Sequence, residues 1–445
     1  MEAGILIYNF LIAPFTLLSV PVRAFFKRGT TLSTTTYWAS RLGIYAWIHT
    51  RKISEAKPPV IWIHAVSVGE AGVAELLVKE IKRSMPESYV ILTVTTRHGL
   101  SVAHSRLSRL ATIIPFPLDL PNVVSDAVNT LKPDIYISIE TEIWPNLITL
   151  LHRKKVPILL LNGRISPKSF RGYKSTRWLW KPVLKKFSRL AMISEKNRER
   201  IVHLGAVPNR VSVAGNIKLA RVTEEKDKTQ PTRWKKILSI SDKQQVVVFG
   251  SLREDENGWI PEIFADLKEK NPNLLGILAP RHLKRVPVLE SHLTKYMISY
   301  QKLSRILELG EKRTASAILV DVIGELANIY SIASIAFCGG SLVPVGGHNI
   351  LEPVTWGKKV FYGPYMSNFS DIKDAVEELG FGIQVSDKKD LAYKLEKFLK
   401  HTDTAQDKIC LESRLSGFRR PLEEQVKLIV DELRKRKQSQ GKLGI

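Results

Sequence analysis

Residues 60–83 read VIWIHAVSVGEAGVAELLVKEIKR. Val60–Ile63 is an unbroken apolar run, which fits a strand buried on both faces of a parallel sheet. From Gly69 to Arg83 the apolar residues recur at helical spacing. Gly69 lies at the strand-to-helix turn, where its missing Cβ permits a tight bend. The same strand–turn–helix unit recurs. Apolar runs at Tyr89–Thr95, Thr112–Pro115, Asp134–Ile139, Pro157–Leu161 and Leu190–Ile193 alternate with helical segments such as Asn122–Leu131 and Asn197–Leu204. Repetition of this unit predicts a doubly wound sheet. The polar stretch RVTEEKDKTQPT at 221–232 reads as a linker. A second series follows, at Gln245–Phe249, Leu274–Leu278, Ala317–Val320, Ile335–Cys338, Lys359–Tyr362 and Gly382–Val385. The expected organisation is an apolar segment at 1–28, an α/β domain at 29–220, the linker at 221–232, a second α/β domain at 233–420, and a helix with a basic tail at 421–445. Sites in such folds form at the carboxyl ends of strands, here expected in a cleft between the domains.

The 445 residues are 44% hydrophobic, which excludes a disordered chain and a small disulfide scaffold. Cys338 and Cys410 are too few for a disulfide framework and point to a reducing compartment. With 67 Lys+Arg against 43 Asp+Glu the formal charge is +24, so an anionic partner is expected. From Ile143 to Ser194 there is no acidic residue, while twelve are basic, including Arg164, Lys181, Lys185 and Lys186. Phe170, Tyr173, Trp178, Trp180 and Phe187 are interleaved with them. That mixture suits nucleic acid, an anionic lipid surface, or a plain solvated basic helix face. The N-terminus favours lipid. Residues 3–22 (AGILIYNFLIAPFTLLSVPV) carry no charge, and Arg23, Lys27 and Arg28 follow. About 20 apolar residues can span a bilayer, although Pro14 and Pro21 argue for a shallow or kinked anchor. The basic flank after the run places the rest of the chain on the cytoplasmic side.

Three motifs carry chemistry. His64–Glu70 (HAVSVGE) puts Glu70 at a helix start, either as a general base for an acceptor hydroxyl or as a first-turn partner of the helix dipole. Glu140–Asn146 (ETEIWPN) ends a strand with carboxylates at i and i+2, of which Glu140 is the candidate to orient an acceptor or to raise the pKa of Glu70. Residues 339–353 (GGSLVPVGGHNILEP) lack the GKS/T of a Walker loop and the spacing of a dinucleotide fingerprint. They read as a backbone cradle for a phosphate, with Ser341, His348 and Asn349 as donors and Glu352 for a ribose diol. A tight glycine turn without ligand is the plain alternative. Lys218, Ser251, Arg281, Gly324 and Glu325 each lie after a strand or at a helix start, and Lys218, Ser251 and Arg281 are candidates for an anionic donor. No further ligand cluster supports a metal.

HAVSVGE, ETEIWPN, LNGRIS (161–166), GNIK (215–218), PRH (280–282), GEL (324–326) and the run at 339–369 occur in one order over almost the whole chain. Together they resemble the 3-deoxy-D-manno-oct-2-ulosonic acid (Kdo) transferases of lipopolysaccharide assembly. The resemblance implies a GT-B fold, two Rossmann-like domains facing a cleft, with an N-terminal membrane anchor at the bacterial inner membrane. It implies CMP-Kdo as donor, a lipid A precursor (lipid IVA) as acceptor, inversion at the transferred sugar, no cofactor and no essential metal. Glu70 matches the family's proposed base and Glu140 its second acidic position. Arg281, Gly324, Glu325, Asn349 and Glu352 match positions expected to hold CMP, and Lys218 matches a lysine at the domain junction. One stretch departs from the pattern. Where relatives carry Ser-Thr-His-x-Gly-Glu-Glu, this chain reads Gly250-Ser-Leu-Arg-Glu-Asp-Glu256, with Arg253 near the missing histidine. Competing readings are another nucleotide-sugar transferase, a 2-epimerase, or a non-catalytic basic protein on membrane or nucleic acid. An epimerase leaves the apolar N-terminus unexplained, and the last reading leaves the carboxylates and glycines without a role.

Overall fold

The computed structural model describes residues 3–29, 37–45, 51, 53, 55, 59–223, 227–400 and 417–441. Cys410 lies outside the described residues. The chain divides into two compact units, Met1–Lys218 with Arg420–Ile445, and Leu219–Arg419. The C-terminal helix is therefore part of the N-terminal unit.

In the first unit seven parallel strands run β1 (Val60–Ala65), β2 (Tyr89–Val94), β3 (Thr112–Pro115), β4 (Ile135–Ile139), β5 (Ile158–Gly163), β6 (Arg189–Met192) and β7 (Val211–Val213), in the spatial order β3-β2-β1-β4-β5-β6-β7. The chain switches direction between β1 and β4, which pair directly (Ile61 with Ile135, His64 with Ser138). Such a switch opens a crevice at the carboxyl ends of the two strands, where HAVSVGE and ETEIWPN sit. Helix α1 (Ala3–Gly29) continues through both prolines. It lies lengthwise on the unit along one stripe. Ile5 joins the core, Ile12 and Phe26 pack on the Leu42–Leu120–Val123 cluster, Ser19 accepts from Asn122 Nδ2 at 3.0 Å, and Arg23 pairs with Asp126. Gly4 permits this approach, since a Cβ there would stand 2.9 Å from the Trp178 carbonyl. The opposite face is bare: Phe10 is 79% exposed, and Leu11, Phe15, Leu17, Leu18 and Phe25 are similarly open. Helix α2 (Val68–Ser84) follows β1, α3 (Pro145–Arg153) follows β4, and α4 (Pro167–Ser175) with α5 (Arg177–Leu184) follow β5.

The second unit repeats the plan with β8 (Val246–Leu252), β9 (Leu275–Pro280), β10 (Tyr300–Lys302), β11 (Ala317–Leu319), β12 (Ile335–Cys338), β13 (Val360–Tyr362) and β14 (Gly382–Gln384), ordered β10-β11-β9-β8-β12-β13-β14 and all parallel. Its switch point falls between β8 and β12. Helix α6 (Glu256–Lys270) follows β8. The closing helix α7 (Arg420–Gly441) returns to the first unit. Two strands, β7 and β10, were not expected from the sequence. The 221–232 stretch is also more ordered than a linker: residues Ile217–Thr223 form a 3-10 helix and Gln230–Ile237 an α-helix, with 224–226 outside the described residues.

Candidate active site

In the first unit the site is built on β1 and β4. Ser67 caps α2, accepting from the Glu70 N–H at 3.4 Å. The Glu70 carboxylate returns the contact, accepting from Val66 N–H at 2.7 Å and from the Ser67 hydroxyl at 3.1 Å, a reciprocal arrangement of the capping-box kind. Only 9% of Glu70 is exposed. Burial raises its pKa, the Val66 N–H opposes this, and the Glu140 charge raises it further. The helix-start geometry expected for Glu70 is thus observed, and the same side chain is a buried carboxylate whose pKa is raised. Glu140 sits at φ 60, a left-handed conformation that costs a non-glycine residue about 1–3 kcal/mol. Lys218 Nζ donates to Glu140 Oε1 at 2.9 Å. Lys218, expected among the donor-binding groups, thus belongs to the carboxylate cluster of this unit. Glu142 joins them, pushed up to about 7 by burial and by the charges of Glu70 and Glu140.

Two positioning residues were missed. Asn162, at φ 54, accepts from Ile217 N–H at 2.9 Å, and Gln425 of α7 accepts from Asn162 N–H at 2.7 Å while donating to Gly215 O at 3.0 Å. Gly215-Asn-Ile-Lys218 is therefore held by β5 and by a helix over two hundred residues further on. LNGRIS contained Asn162 as a signal; nothing local marks Gln425. His64 is a packing residue, fully buried, stacked 3.6 Å from the Phe116 ring and pushed down to about 3 by burial.

In the second unit the glycine loop corrects an expectation. The Glu256 carboxylate, fully buried, accepts from Gly340 N–H (2.6 Å), Ser341 N–H (3.1 Å), Leu342 N–H (2.9 Å) and Arg253 N–H (2.9 Å). These loop N–H groups hold the protein's own carboxylate, not a phosphate. Ser341 is likewise structural, its hydroxyl donating to Cys338 O and accepting from Gly363 N–H. Gly339 has no room for a Cβ, which would meet Ser251 O at 2.6 Å and Glu256 Oε2 at 2.8 Å. Ser251 itself lies at the end of β8 in a left-handed conformation, φ 58.

Around this braced loop the cations gather. His348 is pushed down to about 4 by burial and by the charges of Arg281, Arg253 and His282, and so stays neutral in a positive field. Arg281 follows β9 and is exposed. Arg253 occupies the departing motif beside them. Asn349 Nδ2 donates to Glu352 Oε1 at 3.3 Å, and both line a cavity of about 350 Å³ with Asn328, Trp356, Arg221 and Gln230. The supposed linker therefore supplies part of the wall. Gly324 takes φ 98 before Glu325, which precedes the short helix Leu326–Ile329. A larger cavity, about 540 Å³ between Trp259, Glu262, Arg285 and His292, contains none of the predicted residues, and four of its charged groups pair with one another (Glu254–Arg285 at 3.1 Å, Glu262–Lys388 at 3.2 Å). Among the described residues no cluster of His, Cys, Asp or Glu has the arrangement of a metal site.

The basic segment is less aromatic on its surface than in its sequence. Phe170, Tyr173, Trp180 and Phe187 pack on the core, and only Trp178 of the five is exposed, at 50%. Lys168, Arg171, Lys174, Arg177, Lys181 and Lys185 face solvent from α4, α5 and the turn after them. Lys186 Nζ is bonded to Pro182 O at 2.9 Å, and Arg164 is half-buried beside the site loop, its carbonyl accepting from Thr141.

Residues 36–221 match the family described as 3-deoxy-D-manno-octulosonic-acid transferase (kdotransferase). The chain is 31% identical over 365 residues to the 3-deoxy-D-manno-octulosonic acid transferase of Rickettsia bellii, covering 81% of this chain and 84% of that protein. It is 35% identical over 360 residues to a bifunctional glycosyltransferase/methyltransferase of Fusobacterium nucleatum, covering 80% of this chain but only 54%, about half, of that longer protein. Among solved structures, the UDP-GlcNAc 2-epimerase of Neisseria meningitidis shares the fold, with a TM-score of 0.54, 13% identity, and coverage of 84% of this chain and 99% of that one. The fold class is α/β of the GT-B kind, and the chain belongs to the 3-deoxy-D-manno-octulosonic acid transferase family of glycosyltransferases.

Proposed function

We propose that the enzyme transfers Kdo from CMP-Kdo to a lipid A precursor, with inversion, at the cytoplasmic face of the bacterial inner membrane. The observation that carries this is the buried Glu70 carboxylate at the β1–β4 switch point, with its pKa raised and with the Lys218–Glu140 pair beside it. Glu70 removes the proton from the attacking acceptor hydroxyl. The hydroxyl oxygen bonds to the anomeric carbon as the bond from that carbon to the CMP phosphate oxygen breaks. Arg281 offsets the charge that builds on the leaving phosphate, and Lys218 holds Glu140 beside the base. Asn349 and Glu352 hold the ribose, and Arg253 supplies the cation that meets the sugar carboxylate. Ser251, Gly324 and Glu325 shape the remainder of the donor site, and Arg164 borders the acceptor side. The reaction uses no bound metal, so EDTA is expected to leave turnover unchanged.

The test is incubation with CMP-Kdo and tetraacylated lipid A precursor, measuring CMP release and product mass. A product heavier by one or more Kdo units is expected. Turnover of a UDP-sugar without transfer would replace this reading with the epimerase one, and absence of any product would remove it.

Membrane association belongs to the same proposal. The bare face of α1 lies in the lipid interface while its other face stays on the protein. Exposed cations on α4 and α5 meet anionic headgroups at about 1 kcal/mol each. Replacing Lys181, Lys185 and Lys186 with Gln is expected to weaken anionic-vesicle binding roughly 30-fold, mostly through Lys181 and Lys185, and to raise KM for the lipid acceptor but not for CMP-Kdo. A change confined to the donor KM would place the patch on the nucleotide side. Strong retention of nucleic acid by the purified protein would redirect it to that partner.

A further inference from the structure

Asp119 lies between β3 and the helix Pro121–Leu131, 6% exposed and outside every motif that carries the chemistry. Its carboxylate accepts from Asn146 N–H at 3.0 Å and Leu147 N–H at 2.8 Å, and its carbonyl accepts from Asn146 Nδ2 at 2.8 Å. It also accepts from the Tyr8 hydroxyl at 3.1 Å. Asn146 ends ETEIWPN, and Tyr8 belongs to α1. A single buried side chain thus touches both the apolar helix and the segment that carries Glu140 and Glu142.

The local structure gives Asp119 work that no neighbour does. Helix α3 begins with Trp144 at its cap position, which makes no side-chain cap bond, and with Pro145 next, which has no N–H. The first free N–H groups, on Asn146 and Leu147, would be buried without partners, and Asp119 caps them from another segment. The loop 140–144 is anchored at its other end by the Lys218–Glu140 pair and across its middle by Thr141 on Arg164 O. Asp119 therefore fixes the far end of the carboxylate loop. Burial pushes its pKa to about 7, and the Asn146, Leu147 and Tyr8 donors pull against that rise.

Tyr8 makes this more than a cap. It lies in the inner stripe of α1 with Ile5, Ile12, Ser19 and Arg23, while Leu6, Ile7, Phe10 and Leu11 on either side of it are exposed. The Tyr8 hydroxyl is thus a direct bond from the inner stripe of α1 to the residue that caps α3. We propose that Asp119 is a positioning residue that couples the seat of α1 in a lipid surface to the geometry of the 140–147 carboxylate loop. This inference rests on the Kdo-transfer reading for its kinetic consequence, but not for its structural one.

The experiment uses the full chain on phosphatidylglycerol/phosphatidylethanolamine vesicles, with Asp119→Asn and Tyr8→Phe. Asn offers one acceptor oxygen where the carboxylate offers two, and Phe keeps the Tyr8 ring while removing only its hydroxyl. Amide hydrogen exchange at Asn146 and Leu147 is expected to accelerate at least 10-fold in Asp119→Asn and several-fold in Tyr8→Phe, with β1 and β4 unchanged. Asp119→Asn is expected to lower kcat about 10-fold at unchanged KM for CMP-Kdo, and Tyr8→Phe to lower kcat several-fold on vesicles only. Should Asp119→Asn fail to fold, Tyr8→Phe decides alone: wild-type exchange at 146–147 and wild-type kcat on vesicles overturn the coupling. A rise in donor KM at constant kcat overturns it too. If the wild-type protein transfers no Kdo, the functional reading falls, and the exchange measurements still decide whether α1 and the loop are joined.

Discussion

Glu70→Ala is expected to abolish Kdo transfer while CMP-Kdo still binds with near wild-type affinity. General-base assistance contributes roughly 10²–10⁴-fold, and the substitution also removes the carboxylate that accepts the Val66 N–H. Ser67 and the rest of α2 stay in place, so the fold is retained. Glu70→Gln keeps the shape and loses the basicity, and its kcat should fall nearly as far, which separates base loss from cap loss. The pH profile gives a second readout. Burial and the Glu140 charge hold the folded pKa of Glu70 above the ordinary carboxylate range. The base must be unprotonated to act, so kcat/KM should drop as pH falls through that raised value. Glu140→Gln removes one of the charges that raise it, and should move the acid limb to lower pH. Near wild-type turnover by Glu70→Gln would end the assignment.

Glu256→Gln is expected to have the next largest effect, and on the donor side. A carboxylate with two acceptor oxygens serves four N–H donors at 2.6–3.1 Å. An amide turns an NH₂ group toward half of them. Each buried donor left unpaired costs about 1–3 kcal/mol, so two cost about 2–6 kcal/mol. The loops 250–256 and 339–343 then separate, taking Arg253 and the glycine turn with them. CMP-Kdo affinity measured by calorimetry should fall more than 10-fold, and Tm should fall with it. Glu256→Asp keeps the charge with a shorter reach and should recover part of both. Unchanged donor affinity in a folded Glu256→Gln protein would show that the two loops hold their shape without this brace.

Much of this was legible. The central strands announced themselves as apolar runs because both of their faces are covered. Of the four edge strands, β3 and β14 were read but β7 and β10 were not: β7 exposes Ser212 and Val213, and β10 is Tyr-Gln-Lys. An edge strand of three residues with polar faces carries no period to read. The placement of Glu70 and Glu140 was legible because both follow the strands that flank the switch point, β1 and β4. The glycine loop was half legible. Its backbone N–H groups do converge on an anion, but that anion is Glu256, which in the sequence stands in an acidic run that looks like a solvated helix start. Gln425 and Asp119 were illegible for a different reason, since each acts on backbone groups far along the chain, and such bonds leave no local pattern. The basic segment was read too aromatically, because spacing alone cannot separate core-facing from outward-facing rings.

Helix α7 has a consequence for biogenesis. Gln425 completes the bonds of Asn162 and Gly215 that set Lys218, yet it is translated 207 residues after that lysine. At the usual pace of roughly 5–20 residues per second that is a delay of about 10–40 s. During that interval α1 and both sheets have already left the ribosome, while the cluster of Glu70, Glu140 and Lys218 lacks its last support. The cluster is thus completed last, when the C-terminal helix docks on Asn162 and Gly215.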